Sequence, residues 1–154
     1  MRYTPGQLRN ATGIAPETFR HWKKALGPLR SERGHSPCFS AGDLLAVAVV
    51  RVLTMDLGLR VGALSPVAEA LFDICNASPW PALERSNLIL IAGESRVLLV
   101  PELEPNIASD LRVIVALRPI VALLRMQLEP VTEDVEQPLL RFPLYGLAAG
   151  SGRS

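Results

Sequence analysis

The sequence predicts an α+β protein: a helical N-terminal half followed by a small β-hairpin-containing α/β C-terminal module. Three observations carry this. Through residues 1–75 apolar residues recur at helical spacing, with capping residues at the ends of the runs. From residue 88 the pattern changes to short β-type runs broken by turn residues. Between them, Pro79, Trp80 and Pro81 mark a Pro-containing linker at 76–87.

Thr4-Pro5 starts a short helix, because threonine caps open backbone N–H groups and proline suits the first helical position. Leu8 anchors this helix over residues 6–11. Thr12-Gly13 ends it, since glycine accepts the positive φ that a tight inter-helix turn needs. Ile14 is the apolar plug between this helix and the next. Pro16 opens a second helix running to about Ala25, with Glu17 in the first turn, where the helix dipole favours an acid. Phe19, Trp22 and Leu26 are three and four residues apart and share one face. Thr18, Arg20, His21, Lys23 and Lys24 cover the others, and Gly27-Pro28 ends the helix. Residues 29–39 read as a basic loop or hairpin carrying Arg30, Arg33 and His35, anchored by Leu29 and Phe39. Ser40 and Asp43 form a capping-box pattern ahead of an apolar helix over 41–57, which Gly58 stops. A fourth helix is expected over 66–75, capped by Ser65, with Val67, Ala70, Leu71 and Ile74 inward.

Past the linker, runs at 88–91 and 97–100 flank Ala92-Gly93-Glu94-Ser95 and read as a hairpin. A third strand at 111–116 and a helix at 119–128 complete a β-β-β-α module over 88–128. One helix kinked at Pro119 fits the same apolar run. Prolines 130, 138 and 143 and a Gly/Ser-rich end make 129–154 a flexible tail.

Charge narrows the function. Residues 1–34 hold seven Lys and Arg against Glu17 and Glu32, a net +5, whereas the whole chain is +1, so the rest carries −4. A basic head on an acidic body points to a polyanionic partner. The N-terminus lacks a charged segment leading into an apolar run and a cleavage site. The most apolar stretch, 111–128, is interrupted by Arg112, Arg118 and Arg125. Cytoplasmic location, with no membrane partner, is therefore expected. Two lone cysteines, Cys38 and Cys75, fit a reducing compartment and read as packing residues. There is no Gly-rich phosphate loop and no nucleophile elbow, and neither His21 nor His35 has a Cys or carboxylate at ligand spacing. The expectation is a protein that is not an enzyme and takes no cofactor or metal.

The segments YTPGQLRNATGIAPETFRHWKKALGPL (3–29) and RGHSPCFSAGDLLAVAVVRVL (33–53) resemble the MerR-type family of winged helix-turn-helix DNA-binding regulators. The likeness covers about half the chain. It lies in the Arg-aromatic position of the second helix, the Gly-Pro-Leu exit, the basic wing and the Ser-initiated helix. Arg20 and His21 stand at the Arg-aromatic position, with His in place of the commoner Tyr. The resemblance implies a winged helix-turn-helix over 1–75, double-stranded DNA as partner, the second helix in the major groove and the wing along the flanking backbone. The candidate DNA-binding residues are then Thr4, Thr18, Arg20, His21, Lys23 and Lys24, with Arg30, Arg33 and His35 on the wing. Phe19 and Trp22 are assigned to the core. The implied role is sequence-specific transcription regulation in a bacterial or phage setting. An excisionase-like recombination accessory protein and a protein-interaction module are the alternatives on the same fold. The long coiled-coil helix of effector-responsive members is not found, because Asn76, Ser78, Pro79 and Pro81 break the chain after Cys75. Two readings of the C-terminal module then stand side by side: a homodimer or partner surface through the strand edge at 88–100, or a small self-contained β-layer. The cysteine cluster of metal-sensing members is also missing.

Overall fold

The computed structural model describes residues 1–30, 38–101 and 111–129. Arg33, His35 and the expected tail beyond Glu129 lie outside the described residues.

Helix α1 spans Pro5–Thr12. The Thr4 hydroxyl accepts from the Gln7 N–H at 3.1 Å, and the Gln7 side-chain oxygen accepts from the Thr4 N–H at 2.8 Å. Two otherwise open donors are thus satisfied reciprocally. Gly13 stops the helix at φ 71°, its N–H returning to the Arg9 carbonyl at 2.8 Å. Ile14 is buried in the turn, as its sequence position implies. Helix α2 spans Pro16–Ala25 and buries Phe19 and Trp22, with Leu26 just past its end. A 3-10 turn at Gly27–Arg30 then buries Leu29.

Helix α3, Ala41–Met55, is capped by the Ser40/Asp43 box that the sequence announces. Every residue from Leu44 to Val50 is buried, because other elements surround this helix; hence its apolar sequence lacks a single clear stripe. It ends before the expected residue 57: Asp56 is its C-cap, and Gly58 at φ 77° turns the chain. The helix expected over 66–75 is displaced. Val61–Val67 forms a 3-10 stretch and α4 occupies Ala68–Ala77, so Ser65 does not cap α4; its N-cap is Val67, without a side-chain bond. The cause is the spacing of Val61, Leu64 and Val67, all buried at intervals of three, which is the 3-10 repeat. Leu71 faces inward as expected, Ala70 and Ile74 are half-buried, and Ala68, Phe72 and Cys75 complete the inner side.

The short helix α5, Trp80–Leu83, follows. Trp80 donates its indole N–H to the Ala41 carbonyl at 3.3 Å, and Leu83 is fully buried. Strands β1 (Asn87–Ile91), β2 (Arg96–Val100) and β3 (Arg112–Ala116) form an antiparallel sheet in the order β2-β1-β3. Leu88 lies between Leu99 and Val115, and Leu90 between Val97 and Val113. Helix α6, Leu117–Leu128, begins two residues before Pro119 and directly after β3, so the apolar run is a strand and a helix rather than one kinked helix. Leu88, Leu90, Val97 and Val115 of the sheet and Leu117, Val121 and Leu124 of α6 belong to the same buried cluster as Leu8, Leu45 and Leu53. An ion pair between Arg125 and Glu84 at 2.6 Å ties α6 to the end of α5. The architecture is mixed helix and antiparallel sheet. No helix among the described residues is long and apolar enough to cross a membrane.

Candidate nucleic-acid interface

Burial of Phe19, Trp22 and Leu26 fixes which side of α2 faces out. At 3.6 residues per turn, Arg20 and Lys24 stand one turn apart on the outer side, and Glu17 and His21 form a neighbouring pair. All four are exposed. Thr18 and Lys23 are half-buried and take opposite flanks. The Lys23 ammonium sits 5.6 Å from the centre of the Phe19 ring, a cation–π contact that ties this flank to the core.

A cleft of about 540 Å³ opens between the start of α1 and the outer side of α2, lined by Thr4, Gly6, Arg9, Pro16, Arg20 and Lys23 among others. Three cations thus line one cleft beside the first turn of α1, where the helix dipole favours an anion. The Thr4 hydroxyl already serves the cap, so its role here is to shape the rim. Arg9 belongs to this cluster, yet the sequence reading counts it only in the overall charge of the head. Its signal is the four-residue step from Pro5, which sets it on the side where the helix begins. His21 faces elsewhere. It lines a second groove, of about 390 Å³, with Trp22, Thr54, Met55 and Arg60.

The residues on either side of 31–37 are fastened near α2. Before it, Arg30 donates from Nε and Nη2 to the carbonyls of Lys23 and Lys24. After it, the Phe39 ring meets Phe19 edge-on, with centroids 6.1 Å apart and planes at 82°. Phe39 also pairs with Tyr3: the Tyr3 N–H donates to the Phe39 carbonyl at 2.7 Å, and the Phe39 N–H to the Tyr3 carbonyl at 3.0 Å. Arg2 adds a bond from Nη1 to the Cys38 carbonyl at 3.0 Å. Leu29 and Phe39 are the buried anchors that the sequence names. Arg30, assigned there to the wing, has two of its nitrogens committed to the end of α2.

Among the described residues, no group of three or more His, Cys, Asp or Glu is placed to hold a metal ion. The chain matches no protein-family model, no curated protein and no solved structure.

Proposed function

We propose that the protein binds double-stranded DNA through α1 and α2, acting as a helix-turn-helix of the winged type, and that it serves as a sequence-specific transcription regulator. The observation that carries this reading is that Arg9, Arg20 and Lys23 line one cleft at the start of α1, with the exposed Lys24 one helical turn after Arg20.

In this reading α2 lies in the major groove, which is wide enough for an α-helix. The cleft receives a backbone phosphate, held by the three side chains and favoured by the positive end of the α1 dipole. Lys24 meets a neighbouring phosphate. These contacts position the helix without reading sequence, and affinity from them falls with salt as counterions are released. His21 and Thr18 are the polar groups left to reach base edges. Arg30 and Phe39 sit beside α2, and in this reading the basic residues between them supply the flanking contact.

The test is fluorescence anisotropy of the full chain on duplex DNA across a series of salt concentrations, with sites drawn from DNA fragments that copurify with the protein. Enrichment of a shared site, and a log-affinity falling linearly with log salt, is the expected result. Affinity that is absent or insensitive to salt overturns the proposal.

A further inference from the structure

Helix α6 is apolar on two opposite sides. Leu117, Ile120, Val121 and Leu124 are buried where it packs on α1 and α3. Pro119, Ala122, Leu123 and Met126 fall at i, i+3, i+4 and i+7, so they form a second apolar stripe, on the outer side. All four are exposed, Leu123 by 50% and Met126 by 70%. A helix with one side in the core ordinarily turns polar groups outward, and a contiguous exposed apolar stripe marks a contact surface. Beside the stripe runs a groove of about 220 Å³ between α1, α3 and α6; Pro119 and Leu123 line it too, with Ala48 and Val52 on its α3 wall. That volume is below the roughly 300–1,000 Å³ of small-molecule sites and suits an inserted side chain. Arg51 of α3 and Asp56 at its C-cap line the same groove, and the two form no ion pair with each other.

We infer that this face of α6 docks a second copy of the chain, in a two-fold dimer with the two stripes packed together and Met126 of each copy in the groove of the other. Self-complementarity selects a second copy over an unrelated partner. In a two-fold contact, residue i of one copy meets residue j of the other, and the reverse holds as well. This face carries both the projecting side chain, Met126, and the recess, beside Pro119. Antiparallel α6 helices related by an axis near Leu123 bring each Met126 to Pro119 of the other copy. The charges agree. A face with one cation and one anion complements itself: Arg51 of each copy faces Asp56 of the other, so opposite charges meet twice. The stripe is about 10 Å long at 1.5 Å per residue, which fits a reversible dimer rather than an obligate one. The contact avoids the strand edge at 88–100 and the cleft between α1 and α2, so it holds whether or not the protein binds DNA.

The test is analytical ultracentrifugation of the full chain, without DNA, over about 1–500 µM. The average mass should rise from 16.7 kDa towards twice that value, with a Kd of about 100 µM or tighter. Leu123→Glu and Asp56→Arg lie at exposed positions and keep the fold, which circular dichroism checks. Each should weaken dimerisation at least about tenfold, the first by placing two carboxylates near the axis, the second by opposing Arg51 of the other copy. Arg51→Glu should weaken it likewise. An equimolar mixture of Arg51→Glu with Asp56→Arg should regain the dimer, because unlike charges then meet at both places. If Arg51→Glu does not fold, the masses of Leu123→Glu and Asp56→Arg decide alone. A constant mass of 16.7 kDa, which is also the result if the chain's own residues or a different protein cover the face, overturns the proposal. So does dimerisation of Leu123→Glu or Asp56→Arg as tight as that of the native chain, or the absence of any gain on mixing the two folded charge variants.

Discussion

The guanidinium of Arg30 closes the end of α2, with Nε donating to the Lys23 carbonyl at 3.1 Å and Nη2 to the Lys24 carbonyl at 2.5 Å. A cation there satisfies last-turn carbonyls and complements the negative end of the helix dipole. The same contact holds Arg30 and the 3-10 turn against the basic end of α2. Arg30→Ala should lower the unfolding free energy by about 1 kcal/mol, read by urea denaturation. Arg30→Lys should recover less than half of that, because one ammonium does not reproduce a planar fork across two carbonyls. Full recovery by lysine would leave only a charge effect and remove the fork.

Arg20 and Lys24 are exposed, so their contribution to stability is small. Each phosphate contact contributes about 0.9 to the slope of log affinity against log salt. Replacing both with alanine should flatten that slope by about 1.8, while thermal stability changes by less than about 0.5 kcal/mol. Lys23→Ala differs, because it also removes the contact over Phe19 and costs about 0.5 kcal/mol on its own. An unchanged slope in the double variant would mean that α2 does not face DNA.

Glu17 is the acid on the outer side of α2, one turn before His21. Within the first turn it favours the helix; facing phosphates it opposes binding. Glu17→Gln should therefore act with opposite signs, tightening DNA affinity about two- to fivefold and lowering stability by about 0.5 kcal/mol. Anisotropy and thermal denaturation on the same preparation separate the two effects, and weaker DNA binding by the variant would contradict the orientation of α2.

What neighbours within a few residues decide is legible in the sequence. Pro16 and Gly27-Pro28 bound α2, the Ser40/Asp43 pair caps α3, and Ala92 to Ser95 separates β1 from β2. The exposed cations of α2 follow from the helical period once Phe19 and Trp22 are assigned inward. Val61–Val67 escapes because Ser65-Pro66 imitates a helix start, while burial at intervals of three decides otherwise. Arg9 draws its role from a cleft shared with α2, and Arg30 from carbonyls at the end of α2. No local pattern tells a capping arginine from one that meets a ligand.

Close packing of α3 on α4 makes the next variant informative. A Cβ on Gly42 would lie 2.6 Å from the Cys75 carbonyl oxygen and would also strike the Asn76 side chain. Backbone oxygen cannot rotate away, and Asn76 is held by its amide, which donates to Asp43 and to the Phe72 carbonyl, both at 2.9 Å. Gly42→Ala should thus destabilise by about 2 kcal/mol, although alanine is the better helix former by about 1 kcal/mol. A stabilised variant in urea denaturation would show that the two helices stand further apart.

Cys75 gives a pH test of the same contact. Burial first, and the Asp43 carboxylate second, push its thiol up from 9.0 to about 12. The folded chain therefore keeps a proton that the unfolded chain releases between pH 9 and 12. More protons bound in the folded state means that stability is fully present below pH 9 and is lost as pH rises, by up to about 1.4 kcal/mol per pH unit. Other groups also titrate in this window, and subtracting the profile of Cys75→Ala isolates the thiol. The stability advantage of the native chain over the variant should be constant below pH 9 and shrink above it. In parallel, alkylation at pH 8 should label the half-buried Cys38 well before Cys75, because the attacking species is the thiolate and Cys75 forms almost none. Equal labelling of the two in folded protein would mean that the α3–α4 interface opens far more readily than its packing implies.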